Sequence, residues 1–237
     1  MKILVMGDVV GVSGRKAIKN NLGKIIKDNE INFTIINGEN AADDGKGITK
    51  SIAEEFFLAG VDVITSGNHI WDKQETSDYI SKETRLLRPA NFVEGSPGNG
   101  YGIYSTKNKR FKVGVINFIV CDFHGQIASE KMAIGHFFDG ISTGVFGTHT
   151  HVPTADTRIL EKGTAYQTDL GMCGDYNSVI GMNKENSLKK FFKDKNATKH
   201  FPAEGEATLS GIIIDANQET GLAKKISRLI QGGSLIR

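Results

Sequence analysis

The sequence predicts a mixed α/β fold with outer helices, and three observations lead to this prediction. Short apolar runs alternate with amphipathic helical patterns over residues 2–82, which is typical of strand–helix–strand units around a largely parallel sheet. Apolar runs joined by short polar links then follow, which indicates antiparallel pairs. The chain has 237 residues, of which 39% are hydrophobic, and shows no repeat or linker. We therefore expect one domain over residues 1–237.

The first half of the chain contains three predicted strands and three predicted helices in alternation. The strands are expected at 2–7 (KILVMG), 33–37 (FTIIN) and 61–67 (VDVITSG). The helices are expected at 14–29, 49–60 and 72–82, with Thr49 as the N-cap and Gly60 as the C-terminal stop of the second helix. This half should build the parallel part of the sheet.

The second half predicts antiparallel pairing. Residues 101–106 and 111–119 read as a hairpin around the polar link KNKR, and 206–216 and 221–230 read as another pair around NQET. Residues 163–171 (GTAYQTDLG) also predict an antiparallel strand. One stretch is unusual, because FKVGVINFIVCDFHG (111–125) is longer than one strand and has no crossover at Ile119–Val120. It is one long strand or a shortened connection.

Composition limits the classes of function. With 29 basic and 27 acidic residues, the net charge of +2 gives no overall preference for nucleic acid or a membrane surface. Cys121 and Cys173 match no paired metal-ligand or redox spacing, which favours a reducing compartment. The apolar run at the N-terminus is too short for a secretion signal or a membrane span. We expect a cytoplasmic protein without membrane association.

Polar clusters rich in Asp, Glu, Asn and His follow five predicted strands. The clusters are GD (7–8), NGEN (37–40), SGNH (66–69), DFH (122–124) and GTHTH (147–151). Ligands bind outside the carboxyl ends of the strands in open α/β sheets, so the clusters should converge on one rim. Carboxylate, amide and imidazole donors suit manganese, iron or zinc. The sequence predicts a metal site there.

Each cluster taken alone also has an ordinary structural explanation. Asp8 fits a helix or turn cap, the acid of GEN fits a solvated loop, and Asn68 is a good turn residue. His124 fits the polar end of a core strand, and the pair His149 and His151 fits a loop in solvent. The metal-site interpretation depends on all five clusters lying at predicted strand ends.

These motifs resemble those of the calcineurin-like metallophosphoesterases, and more closely the bacterial YmdB-like branch. The similarity lies in GDVVG, NGEN, GNHIWD, DFH and GTHTHV, and extends through TADTRIL, GTAYQTDLGMCG and SVIGM to cover nearly the whole chain. The resemblance implies a four-layer α/β/β/α sandwich with mixed sheets and outer helices. It also implies a dinuclear metal centre on the rim of this sandwich.

The resemblance further implies a set of ligands for two divalent ions. Glu39 would bridge them, with one ion held by Asp8, Asn40 and His151 and the other by Asn68, His124 and His149. Iron or manganese is expected, with zinc as a further candidate. His69 resembles the non-ligand histidine of the superfamily, and we expect it to protonate the leaving oxygen or stabilise charge on it. The alternative is that His69 only orients Asn68.

Two departures from the wider superfamily agree with the YmdB-like branch. Val10 occupies the place of a histidine that many members carry, and Glu39 replaces the usual bridging aspartate. A third departure is specific to this chain, since the branch usually has a longer segment with a helix where Ile119 joins Val120.

The main functional hypothesis is a metal-dependent phosphodiesterase in which hydroxide between the two ions attacks phosphorus. The resemblance implies 2′,3′- or 3′,5′-cyclic nucleotides or RNA-derived diesters as substrates, and makes self-association an expectation. A phosphomonoesterase on the same metals is a second hypothesis. A metal- and nucleotide-binding regulator with little turnover is a third. Substrate comparison separates the first two, and cellular effects that survive Glu39→Gln would favour the third.

Overall fold

The computed structural model of the protein describes residues 1–118 and 126–235. Its helices in this part of the chain are α1 (Gly11–Asp28), α2 (Lys50–Ala59), α3 (Gln74–Ile80), α4 (Ala128–Phe137) and α5 (Lys184–Phe191). Its strands are β1 (Lys2–Val9), β2 (Phe33–Asn37), β3 (Val63–Thr65), β4 (Tyr101–Ser105), β5 (Lys112–Ile116), β6 (Gly144–Phe146), β7 (Arg158–Ile159), β8 (Ala165–Gln167), β9 (Met172–Asp175), β10 (Ala207–Ala216) and β11 (Ala223–Gln231). No helix among these residues is long and apolar enough to cross a bilayer.

A six-stranded mixed sheet forms the centre of the fold, with the strand order β11-β10-β9-β1-β2-β3. The strands β1, β2 and β3 run parallel to one another, as the alternating pattern predicts. The first half of β1 pairs antiparallel with β10, while Asp8 at its end is in parallel register with Met172 of β9. Because β9 takes over as the neighbour of β1 at this point, Asp8 lies inside the sheet and is fully buried.

The two faces of this sheet are covered by different elements. Alternate residues of a strand point to opposite faces, so Leu4 and Met6 pack with the helices while Ile3 and Val5 pack with smaller sheets. One smaller sheet is β4-β5 and the other is β6-β8-β7. The second core joins Val113 of β5 to the central sheet.

Helix α4 packs on the three-stranded sheet at Gly135. A Cβ there would lie 2.5 Å from Cε2 of Tyr166, so the helix can approach the ring only because Gly135 has no side chain. The described residues form a mixed α/β fold with a central mixed sheet. Four complete layers remain a prediction, because the smaller β layer is divided between two sheets.

Several sequence predictions are confirmed in position. Thr49 accepts a hydrogen bond from the Ile52 backbone at the start of α2, and Gly60 ends this helix in the left-handed conformation. The β4-β5 hairpin and the β10-β11 pair both form, although β5 ends at Ile116. The Ile119–Val120 junction and the expected VCDF strand lie outside the described residues.

Other predictions hold in part. The stretch GTAYQTDLG contains the short strand β8, which pairs antiparallel with β7 as predicted and also pairs parallel with β6. The sequence also missed α4, α5 and β9. Helix α5 is rich in lysine and buries only Asn186 and Ser187, so it lacks the apolar stripe that identifies a surface helix. Strand β9, MCGD, is too short to show a pattern.

A buried ion pair supports the loop that follows β6. The Lys131 side chain on α4 is 1% exposed, and its Nζ lies 2.9 Å from Oδ2 of the fully buried Asp169. Lys131 Nζ also donates to the Thr148 carbonyl at 2.7 Å, and Asp169 accepts hydrogen bonds from the backbone N–H groups of Thr150 and Gly171. The pair thus fixes both sides of the loop that carries the two predicted histidine ligands.

We predict that Lys131→Met and Asp169→Asn each lower the free energy of unfolding by about 3–5 kcal/mol, because each leaves a buried group without its charged partner. The double variant should lose less free energy of unfolding than the sum of the two single-variant losses, since it contains no unpaired charge. Urea denaturation of the metal-free proteins measures these differences.

The control is Lys24→Met, which removes an exposed ion pair with Asp28 on α1. Its cost should be below about 0.5 kcal/mol. Single variants of the buried pair that match this control would contradict the supporting role of Lys131 and Asp169.

Candidate metal centre

Four of the five predicted clusters lie at one edge of the fold, where strands of the central sheet and of the three-stranded sheet end. Asp8 is the second-last residue of β1. Glu39 and Asn40 follow β2, Asn68 and His69 follow β3, and the histidine loop 147–151 follows β6. The fifth cluster contains His124, which lies outside the described residues. The rim predicted from the parallel strands is therefore present for the described clusters.

The loop after β6 is attached directly to the end of β1. The backbone N–H of His149 donates a hydrogen bond to Asp8 Oδ2 at 3.0 Å. His149 has φ 97° and His151 has φ 63°, in a region that non-glycine residues rarely occupy. Such backbone strain persists only where the surroundings impose it, and it is concentrated at functional sites.

His151 is held with one ring nitrogen directed toward Asn40. Its Nδ1 lies 2.8 Å from the Ile180 carbonyl oxygen, which only accepts, so Nδ1 carries the proton. Its Nε2 therefore has a lone pair, and it lies 3.2 Å from the side-chain amide of Asn40. Metal-binding histidines are usually oriented in this way, with the second nitrogen donating to a carbonyl.

Asn37 connects the cluster after β2 to the histidine loop. Its Oδ1 accepts from the Glu39 backbone N–H at 2.9 Å, and its Nδ2 lies 3.4 Å from Oγ1 of Thr148. Glu39 is 1% exposed and Asn40 is 5% exposed. The turn after β2 thus places a carboxylate and an amide in the protein interior, beside the loop that carries His149 and His151.

The structure does not bring every predicted ligand into this group. Asn68 lies exposed in the turn from Gly67 to Ile70, and it makes no hydrogen bond to another predicted ligand within the described ranges. Across residues 1–118 and 126–235, no three His, Cys, Asp or Glu side chains are arranged closely enough to hold a metal ion. Among the described residues, direct contacts join Asp8 to His149 and Asn40 to His151.

The chemistry of the donors nevertheless fits divalent cations. Asp8 and Glu39 are buried carboxylates, and carboxylate oxygens are hard donors that suit divalent cations. His151 presents Nε2, and a rotation of the Asn40 amide by half a turn would place Oδ1 where Nδ2 now lies. Hard oxygen and imidazole donors of this kind suit manganese, iron or zinc.

His69 and Asp72 form a hydrogen-bonded pair beside this group. The distance from His69 Nδ1 to Asp72 Oδ2 is 2.9 Å, and both side chains are partly exposed. A carboxylate accepts, so Nδ1 donates and Nε2 is the nitrogen left for a substrate. Asp72 thereby orients His69.

Trp71 has a packing role, as the sequence predicts. It is partly buried against the core between the central sheet and the helices, and its ring centroid lies 6.0 Å from that of Phe92.

Cys173 is chemically inert, because complete burial raises the pKa of its thiol to about 12. A protonated thiol in the core is a poor ligand and nucleophile.

The loop DDGKG (43–47) is tied to two helices. Asp43 pairs with Arg15 at 2.5 Å, and Lys73 Nζ lies 2.8 Å from both oxygens of Asp44. Although burial alone would raise the pKa of Asp44, its hydrogen bond and charge interaction with Lys73 lower it below the usual value. The loop is therefore held by ion pairs, and Lys46 within it is exposed.

Sequence reasoning missed the residues that support the site. The Ile180 carbonyl, Lys131 and Asp169 are distant from the ligands in sequence and gave no spacing signal. The sequence did contain an indication for Asp72. It follows His69 by three residues, and two side chains at this spacing can form a hydrogen bond within one turn of the chain. The stretch TDLG resembles the family, but only the structure shows that its aspartate binds Lys131.

Comparison with known proteins agrees with this architecture. The protein is similar to a 2′,3′-cyclic-nucleotide 2′-phosphodiesterase of Bacillus subtilis, with 42% identity over 259 aligned positions that cover 97% of each chain. It superposes on a hypothetical protein of Thermus thermophilus with a TM-score of 0.88 and 31% identity, covering 99% of this chain and 100% of that one. A novel phosphatase of Mycoplasma pneumoniae gives a TM-score of 0.89 and 31% identity, covering 98% of this chain and 93% of that one.

The family model described as "YmdB-like protein" matches this chain in two segments, 4–119 and 115–229. The two segments overlap over residues 115–119, next to the Ile119–Val120 junction, where the sequence leaves open one long strand or a shortened connection. The alignment to the Bacillus protein has 259 positions, more than the 237 residues of this chain, so that relative contains residues without a counterpart here. The family model and the Bacillus relative together confirm the predicted resemblance, and the chain belongs to the YmdB-like protein family.

Proposed function

We propose that this protein is a metal-dependent phosphodiesterase that acts on cyclic nucleotides, with 2′,3′-cyclic nucleotides as the first candidates. The observation that carries the proposal is the arrangement of His151, whose proton is fixed on Nδ1 by the Ile180 carbonyl so that Nε2 faces Asn40. The printed name of the Bacillus relative supports the substrate class. RNA-derived diesters are further candidates.

The proposed ligands are Asp8, Glu39, Asn40, Asn68, His124, His149 and His151, with Glu39 between the two ions. Two divalent cations bound there would make a water molecule acidic and neutralise charge on the phosphoryl oxygens. Asn68, which is exposed in the turn after β3, belongs to this set because of the family resemblance. Iron or manganese is the proposed metal.

The chain itself supplies orientation and a proton. The His149 N–H holds Asp8 Oδ2, and Asn37 Oδ1 holds the backbone N–H of Glu39, so the Asp8 carboxylate and the Glu39 backbone have fixed positions. His69, oriented by Asp72 through Nδ1, would act in its imidazolium form, in which Nε2 also carries a proton, and would become neutral on giving that proton to the leaving ribose oxygen. The leaving alkoxide of a natural diester is strongly basic and needs this proton.

A phosphomonoesterase is the second candidate, and the Mycoplasma structure described as a novel phosphatase favours it. The two activities differ in the charge on the substrate, since a monoester dianion carries one more negative charge than a diester. Comparison of a diester with a monoester therefore separates the two candidates.

The first prediction concerns the metals and the diester. Purified protein loaded with Mn²⁺ should contain about two metals per chain and hydrolyse bis-p-nitrophenyl phosphate faster than p-nitrophenyl phosphate. Glu39→Gln should lose diester hydrolysis, because a neutral amide replaces the carboxylate between the ions. Elemental analysis and absorbance assays measure both quantities.

Glu30→Gln is a matched control, since Glu30 is an exposed carboxylate paired with Lys2 far from the rim. It should leave metal content and activity unchanged. Faster turnover of the monoester would assign the site to phosphatase chemistry, and failure to bind metal after reconstitution would overturn the proposal altogether.

The second prediction concerns His69. His69→Gln should lower kcat for a 2′,3′-cyclic nucleotide by about 10²–10⁴-fold, the usual contribution of a general acid. The same change should have much less effect on bis-p-nitrophenyl phosphate, because p-nitrophenolate leaves without a proton. Steady-state kinetics on both substrates gives the ratio.

Asp72→Asn should reproduce the same selectivity in a weaker form, because the amide no longer favours the proton on Nδ1. Metal content should stay at the level of the unaltered protein in both variants. Equal losses on the two substrates would show that His69 acts through the metal site and does not protonate the leaving group.

A further inference from the structure

We infer that residues 184–201, which we name the basic-aromatic segment, bind single-stranded RNA and direct its 3′ end to the metal centre. This inference rests on the proposed function, and it specifies oligonucleotides with terminal cyclic phosphates as substrates in addition to mononucleotides. The segment comprises α5 and the loop after it.

The segment concentrates positive charge. It contains six lysines and two acidic residues, so its net charge of +4 exceeds the +2 of the whole chain. The lysines are Lys184, Lys189, Lys190, Lys193, Lys195 and Lys199. None of them forms an ion pair with a carboxylate in the ranges that the structure describes. A polyanion is the partner that this charge fits.

Aromatic and aliphatic side chains lie among these lysines and face solvent. Phe191 is 79% exposed and Phe192 is 74% exposed, and their ring centroids are 5.3 Å apart at an angle of 86°. Leu188 lies one turn earlier and is 51% exposed. Exposed aromatic rings beside cationic side chains are the combination on which unpaired bases stack.

The segment is a fixed part of the protein. Asn183 caps α5 by accepting from the Asn186 backbone. The buried amide of Asn186 then donates to the carbonyls of Thr198 and Lys199 and accepts from the Thr198 N–H at 2.8 Å. The helix therefore turns its polar face to the protein and leaves the two phenylalanines outside.

The segment begins next to the metal centre. Ile180 accepts the hydrogen bond from His151, and Gly181 and Asn183 pair with Ala203 and Phe201 at the base of the segment. Helix α5 has eight residues and is about 12 Å long. A strand whose terminal phosphate occupies the site could thus reach the phenylalanines within a few nucleotides.

An anionic membrane is the rival partner for a cationic and aromatic helix. The location of the segment argues against a membrane. The segment is attached to a site whose proposed substrates are phosphodiesters, and the phosphodiester is the repeating group of RNA. The apolar face of α5 is also short, with Leu188, Phe191 and Phe192 as its exposed members. A nucleic acid uses both the charge and the rings at this place.

The test measures binding and turnover separately on the metal-loaded protein. Fluorescence anisotropy follows a labelled oligouridylate of about ten nucleotides with a plain 3′-hydroxyl end, within the usual site size of single-strand binders. Phe191→Ala/Phe192→Ala should weaken binding about tenfold, and Lys189→Glu/Lys190→Glu should weaken it and reduce its salt dependence. These positions are on the surface, so folding should be unchanged.

Two control variants match these changes elsewhere on the surface. Phe137→Ala removes a phenylalanine that is 72% exposed at the end of α4, and Lys224→Glu/Lys225→Glu reverses two exposed lysines of β11. Both should bind oligouridylate like the unaltered protein. Equal weakening by the controls, or no binding at low salt, would overturn the inference.

Turnover then compares a 2′,3′-cyclic mononucleotide with an oligonucleotide that ends in the same cyclic phosphate. Phe191→Ala/Phe192→Ala should raise KM about tenfold for the oligonucleotide and leave the mononucleotide unchanged. Mononucleotide hydrolysis without oligouridylate binding would refute the RNA surface and keep the proposed function. Segment-dependent binding without hydrolysis of either substrate would support the surface and refute the proposed function.

Two further measurements address other occupants of the surface. The first is the binding of the protein to phosphatidylglycerol vesicles. If Phe191→Ala/Phe192→Ala weakened this binding but left oligouridylate binding unchanged, the inference would be overturned in favour of a membrane. The second is sedimentation of the unaltered protein and the same variants. If the unaltered protein self-associated, the variants did not, and neither bound RNA, the inference would be overturned in favour of a second copy of the chain.

Discussion

The buried ion pair between Lys131 and Asp169 is the interaction on which the candidate site most depends. It fixes the Thr148 carbonyl and the Thr150 N–H, so the loop between them has little choice of path. His149 lies between these two anchored groups and His151 follows them directly, and both adopt left-handed conformations. The charge pair that anchors the loop is buried and joins α4 to the residues after β8.

Glycines allow the backbones to approach closely at the same place. A Cβ at Gly147 would lie 2.1 Å from the Thr168 carbonyl oxygen, and one at Gly7 would lie 2.0 Å from that of Gly171. Both neighbours belong to the stretch around Asp169, so β1 and the loop after β6 converge on one segment. The ends of the central sheet and of the three-stranded sheet are thereby brought together, and Asp8 can accept from His149.

The site combines preorganised and adjustable parts. Asp8, Glu39 and His151 are buried and held by the backbone, by Asn37 or by the Ile180 carbonyl, whereas Asn68 lies exposed in a turn. Such a division suits a centre whose buried donors select the ion and whose exposed donor completes its coordination. The same Ile180 connects His151 to the basic-aromatic segment, so substrate binding and ligand orientation share one short stretch of chain.

The sequence alone determined the alternating first half, the caps of α2, the two antiparallel pairs and the strand-end clusters, because each is a local pattern of period, cap or turn. Tertiary structure decided which groups meet. The pairing of Lys131 with Asp169 spans 38 residues and that of Asn40 with His151 spans 111, and no local rule encodes such contacts. Helix α5 also escaped prediction, because its inward face is polar and its phenylalanines face solvent, the reverse of the amphipathic pattern by which helices are recognised.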